Sequence, residues 1–175
     1  MGHEAFTFLS ADGKTQIHGV RWKPQTGEIK GILQITHGMV EYIERYEDFA
    51  EYMTRQGYLV VGHDHLGHGE SVDTPENWGF FADENGGDIL VEDMHALRVM
   101  TQKEYPNLPY FMLGHSMGSF LLRKYLCKHH DQLRGAIIMG TGMQPEKILK
   151  LGKRLCRILA KVHGWHYRSN LLQKM

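Results

Sequence analysis

Four short apolar runs, 31–36 (GILQIT), 58–62 (YLVVG), 110–113 (YFML) and 135–139 (GAIIM), are separated by stretches with helical spacing. This alternation constrains the fold more than any other feature. Apolar side chains at successive positions, rather than at every second one, suit strands buried on both faces. Between the first two runs Tyr46, Phe49, Ala50 and Met53 recur at helical spacing, and Gly57 stands where a helix would stop. Further helices are predicted from about Ile89 to Glu104, ahead of Pro106, and from about Gly118 to His129. Strand, helix, strand, helix places the chain in the α/β class, with a mostly parallel sheet covered by helices on both faces.

Ahead of this unit, 5–9 and 17–22 flank an Asp12-Gly13 turn signal and read as an antiparallel hairpin. Behind it, 145–162 forms an amphipathic pattern. Ile148, Leu149, Leu155, Ile158 and Leu159 are available for one face, among Lys147, Lys150, Lys153, Arg154, Arg157 and Lys161. Two readings stay open for this basic helix: a solvated surface covering a core edge, or a lid or interfacial face. The polar stretch 73–79 is the clearest loop and is too short to divide the chain into two domains.

The 20 basic residues balance the 20 acidic ones, so no net field draws the chain to nucleic acid, and partners must come from local features. Cys127 and Cys156 have neither zinc nor disulfide spacing and are expected to be buried free thiols. The N-terminus lacks a basic stretch followed by an apolar core, and no apolar segment approaches ~20 residues. A soluble, cytoplasmic protein is expected.

The pentapeptide Gly114-His115-Ser116-Met117-Gly118 lies between a strand and a helix. A serine hydroxyl attacks a carbonyl only when a base removes its proton and donors stabilise the resulting oxyanion. Glycines on both sides permit a sharp turn that exposes Ser116 above the sheet edge and points the Met117 amide at the developing charge. Alone, such a pentapeptide could equally be a tight turn. A second glycine motif, His37-Gly38-Met39, follows the strand at 31–36, where a second oxyanion amide is needed. The Met39 N–H is the candidate.

HGMVEYIERY at 37–46, GHDHLGHGES at 62–71, GHSMGS at 114–119 and IIMGTGMQP at 137–145 together resemble the α/β-hydrolases of the monoacylglycerol lipase and lysophospholipase group, a serine aminopeptidase S33-type hydrolase. The resemblance implies Ser116 as nucleophile and the amides of Met39 and Met117 as oxyanion donors. It implies supporting roles for His37, Gly38, Gly114, His115 and Gly118, with no cofactor and no metal. It further implies a core over 1–142 and the start of a helical lid over 143–175. For His37, a capping or turn role is the alternative to ordering the oxyanion loop.

Twelve histidines include His63, His65 and His68 around Asp64, but H-D-H-x-x-H departs from the order a di-metal loop requires. The resemblance makes Asp64, His65 and His68 a structural loop. His115 precedes the nucleophile, so its side chain points elsewhere and it is not the base. A Ser-His-Asp hydrolase presents nucleophile, acid and histidine in that order, on loops after later strands. Asp131, Glu146, His129, His130, His163 and His166 all fall on helices or turns instead. Acid and histidine are therefore expected beyond residue 175, with the strand at 135–139 left as an exposed edge. The expected activity is cleavage of small-molecule acyl esters, with transient contact to a membrane or micelle surface. A thioesterase or peptidase using the same elbow, or an inactive scaffold dimerised through the exposed edge, are the alternatives.

Overall fold

The computed structural model describes residues 2–25, 27–129 and 133–169. His130 and Asp131 lie outside the described residues. The hairpin forms from β1 (Glu4–Leu9) and β2 (Gln16–Trp22), with Asp12 accepting hydrogen bonds from the amides of Lys14 and Thr15 in the turn. The strand β3 (Gly31–Thr36) leads through a 3-10 turn (Ile43–Tyr46) into helix α1 (Glu47–Arg55). Then follow β4 (Tyr58–His63), α2 (Gly86–Glu104), β5 (Tyr110–His115), α3 (Met117–His129), β6 (Gly135–Met139) and α4 (Glu146–His163). Helix α2 begins three residues earlier than its apolar pattern indicates, because Asn85 adopts the left-handed conformation (φ 55°) that starts the turn.

All six strands share one sheet in the order β1-β2-β4-β3-β5-β6, antiparallel at the hairpin side and parallel from β4 to β6. Every residue of β3 is buried, because both faces of the sheet are covered. On one face Ile32, Leu59, Val61, Tyr110 and Met112 pack with Leu90, Met94 and Leu97 of α2 and Leu122 and Tyr125 of α3. On the other, Leu33, Ile35, Val60 and Leu113 pack with Trp22, Ile43 and Ala50. The uninterrupted apolar runs thus divide by alternation between two cores.

This order places the site. From β3 the chain passes through α1 to β4 on one side, then returns through α2 to β5 on the other side of β3. The connections leaving the C-terminal ends of β3 and β5 therefore run to helices on opposite faces, which marks the usual binding position in open α/β sheets.

Among the described residues β6 is the outermost strand on the far side, and its Ile137, Ile138 and Met139 are exposed. Helix α4 buries none of its residues, and no helix among the described residues is long and apolar enough to cross a membrane. Burial of the two cysteines is not found: Cys127 and Cys156 are both exposed. Cys127 falls on the outer side of α3, where its thiol reaches the Arg123 carbonyl at 3.4 Å, and Cys156 lies on the exposed side of α4, which has no fully buried residue.

Candidate active site

Ser116 links β5 to α3 with φ at 51°, a left-handed conformation uncommon for a residue with a side chain. It is held there on both sides. Its amide donates to the Met139 carbonyl at 3.0 Å, and its own carbonyl accepts from the Ser119 amide (2.9 Å) and hydroxyl (2.6 Å). The flanking glycines are sterically required. A Cβ on Gly114 would lie 2.5 Å from the Gly118 carbonyl oxygen, and one on Gly118 would lie 2.6 Å from the His37 carbonyl oxygen and closer still to that of Thr36. Helix α3 can approach the end of β3 this closely only without those side chains.

The loop after β3 lies directly against the serine: a Cβ on Gly38 would be 3.1 Å from the Cβ of Ser116. Met39, next in the chain, is largely exposed, and Val40 takes a positive φ of 59°. Ser116, with Met117 at the N-terminus of α3, and the 37–41 loop thus come together at the C-terminal ends of β3 and β5. A helix N-terminus and a turn amide are groups that can stabilise a developing anion.

His37 is fully buried and bonded through both ring nitrogens. Its Nε2 accepts from the His65 amide at 3.0 Å, so the proton resides on Nδ1, which donates to the Gly38 carbonyl at 2.7 Å. Burial lowers its pKa to about 4, and the ring is neutral at pH 7. With its lone pair occupied, His37 braces the loop and cannot serve as a base. The histidine bonds of the described residues at His3, His18, His68, His95 and His115 likewise run to groups other than the Ser116 hydroxyl. His163 and His166 stack on Tyr167 and Phe80.

Beneath the loop, Asp64 ties two turns together by accepting from the amides of Ile43 (2.7 Å) and Glu70 (2.8 Å). Burial raises its pKa to about 6, against the pull of those two bonds. One ligand-type atom each of His18, Glu44 and Asp64 lies within 4.8 Å of the others. His18 Nε2 is already bonded to Glu44 at 2.8 Å. His65 packs against His37 with ring centroids 4.2 Å apart, and His68 donates from Nδ1 to the Leu66 carbonyl at 3.1 Å. The 63–71 segment therefore forms the floor under the 37–41 loop.

Glu41 was missed by the sequence reading. One of its carboxylate oxygens accepts from the Gly38 amide, from the Tyr46 hydroxyl at 3.0 Å and from His115 Nδ1 at 3.2 Å. The available signal is its spacing, an acid three residues after a loop glycine, as in side-chain capping of a turn amide. Surface hollows of about 810 and 900 Å³ lie elsewhere, the first at the opposite end of the strands beside Lys30, Gly57 and Leu108, the second around Gly67, Asp73 and Phe81.

The description "Serine aminopeptidase, S33" belongs to the protein family that matches residues 27–175. The chain is 29% identical over 148 residues to a monoglyceride lipase homolog of Monkeypox virus, covering 81% of this chain and 49% of that protein. It is 38% identical over 104 residues to the monoglyceride lipase of Homo sapiens, covering 55% of this chain and 30% of that protein. Among solved structures it resembles a thermostable carboxyl esterase from Bacillus coagulans, with TM-score 0.81, 34% identity, and coverage of 92% of this chain and 51% of the esterase. The chain thus spans about half the length of these relatives or less.

Proposed function

Because this chain belongs to the serine aminopeptidase S33 family of α/β-hydrolases, we propose that it carries the nucleophile and oxyanion half of a serine hydrolase acting on carboxylic esters of acyl lipids. The observation that carries this reading is Ser116 at φ 51° with the Gly38 loop packed against it. Ser116 Oγ attacks the ester carbonyl, and the amides of Met39 and Met117 hold the oxyanion as the C–O double bond becomes single. A histidine takes the serine proton and returns it to the departing alcohol, leaving an acyl-enzyme on Ser116. Water then attacks that ester, the histidine accepts its proton, and the carboxylic acid leaves as Ser116 regains its hydrogen.

We place the acid and the histidine beyond residue 175. Two observations support this: the histidine hydrogen bonds found among the described residues run to groups other than the Ser116 hydroxyl, and the chain covers only about half or less of the relatives' own length. Residues 143–175 are proposed as the start of a lid, since α4 is amphipathic in sequence and has no fully buried residue. The acyl-lipid substrate class is carried from the monoglyceride lipases among the relatives.

The test is covalent labelling with a fluorophosphonate, followed by peptide mass spectrometry. An oxyanion site retains part of its effect without a base, so slow labelling confined to Ser116 and abolished in Ser116→Ala is expected. An unlabelled chain, or an adduct on another residue, refutes the nucleophile assignment and favours a scaffold. Turnover of p-nitrophenyl butyrate by this chain alone at the rate of an intact esterase would refute placement of the base beyond residue 175.

A further inference from the structure

We propose that Glu41 is a positioning residue for this site: its carboxylate locks the 37–41 loop onto the residue preceding the nucleophile and fixes His115 as the Nδ1–H tautomer. The inference rests on Ser116 being the nucleophile. It begins from a convergence of three donors on one oxygen, from three separate elements. The Gly38 amide comes from the loop after β3, the Tyr46 hydroxyl from the 3-10 turn, and His115 Nδ1 from the end of β5.

An ionised carboxylate can only accept, so each of the three neighbours must present a hydrogen. Tyr46 therefore donates to Glu41, although its oxygen is also 3.2 Å from His115 Nδ1. His115 must then carry its proton on Nδ1. A Nδ1 lone pair facing the carboxylate at 3.2 Å would be repelled by it. The Glu41 side chain is 12% exposed, so water competes little for these bonds, and charge-assisted bonds of this kind are the stronger class. Burial pushes the Glu41 carboxyl upward, but bonds from Gly38, His115 and Tyr46 outweigh it and hold the group below the usual carboxylate range.

The mechanical consequence follows from Gly38. A Cβ there would lie 2.6 Å from Glu41 Oε1 and 3.1 Å from Ser116 Cβ, so the loop backbone is pressed between carboxylate and nucleophile. Releasing the Gly38 amide frees the peptide that precedes the Met39 N–H. Releasing His115 frees the residue whose peptide leads into Ser116. Glu41 thereby sets the separation of the two oxyanion amides while touching neither the substrate nor the serine hydroxyl. A displacement of ~1 Å at such a site costs on the order of a hundredfold in rate.

The test uses the 175-residue chain in two measurements. Long-range ¹H–¹⁵N spectra, recorded about two pH units above the ordinary imidazole value, identify the protonated ring nitrogen of His115. Labelling kinetics with a fluorophosphonate report on Ser116. Expected are the Nδ1–H form in the wild type and in Glu41→Gln, which keeps an acceptor oxygen, and the Nε2–H form in Glu41→Ala. Labelling should slow by roughly tenfold to a hundredfold in Glu41→Ala and be largely restored in Glu41→Gln. A mere space-filling role would leave the tautomer untouched. The Nε2–H form in the wild type overturns the proposal even if Glu41→Ala does not fold. A labelled Ser116 with tautomer and rate unchanged in Glu41→Ala overturns the Glu41 role alone, whereas an unlabelled wild type overturns the nucleophile reading beneath it.

Discussion

Gly118→Ala probes the close approach on which the elbow depends. The new Cβ would stand 2.6 Å from the His37 carbonyl oxygen and nearer still to the Thr36 carbonyl oxygen, roughly 1 Å inside ordinary contact. Both obstacles are main chain at the end of a fully buried strand, so neither can rotate away. The first turn of α3 must instead lift from β3. Overpacking usually costs 1–3 kcal/mol, and two immovable oxygens put this case at about 3 kcal/mol. With a urea slope of about 2 kcal/mol/M, the unfolding midpoint should fall by about 1.5 M. The same lift carries the Met117 amide ~1 Å from the loop at Gly38, so fluorophosphonate labelling should fall about a hundredfold. Gly152→Ala, in a helix where a Cβ meets nothing within 4 Å, is the control and should change the midpoint little or raise it slightly. A midpoint within about 0.3 M of wild type for Gly118→Ala, with labelling unchanged, would refute the packing argument.

Ser116→Gly should stabilise the chain by up to ~1 kcal/mol by relieving the φ of 51°, despite the greater freedom of unfolded glycine, while abolishing labelling; a lower urea midpoint would count against strain at the elbow. Stability should fall as pH drops from about 6.5 to 5. Buried His37 and His63 titrate in the fold near 4 and 3, and His65 well below its usual value, so across that window the unfolded chain binds protons that these rings refuse. Asp64 and Asp93, raised to about 6, act oppositely, since their folded forms hold protons that the unfolded chain has lost; their contribution is full below about 4 and disappears as pH rises through 6. The rings, His95 among them, outnumber the two carboxyls, so a net loss of stability on acidification is expected, measurable by urea titration at stepped pH; stability rising toward pH 5 would contradict the sign. Ellman's reagent should modify both Cys127 and Cys156 in the native chain at rates close to that of an open thiol; protection of either without denaturant would show that it is covered.

Much of the fold is legible in the chain because short-range pattern determines it. β3 at Gly31–Thr36 and β6 at Gly135–Met139 fall where their apolar runs predict, since continuous apolar residues have few other destinations. The position of Ser116 between a strand and a helix follows from the pentapeptide and its flanks. Helix starts were less legible: α2 begins at a left-handed Asn85 that apolar periodicity does not register, and α1 is preceded by a 3-10 turn around Ile43.

The cysteines show the limit clearly. A thiol on a helix is buried or exposed according to what packs on that side of the helix, and among the described residues nothing covers either cysteine. Strand order, which sets the ends of β3 and β5 side by side, is likewise a matter of long-range pairing. Glu41 is only one more loop acid when read along the chain. Its meaning comes from meeting Tyr46 five residues on and His115 seventy-four residues on, around a single oxygen. The sequence by itself determined which segments would be strands and helices and which serine would sit at their junction, because backbone preference and apolar periodicity act over a few residues. Only the tertiary structure decided which donors that acid satisfies and which faces remain bare, because hydrogen bonding and burial depend on groups brought together by the fold.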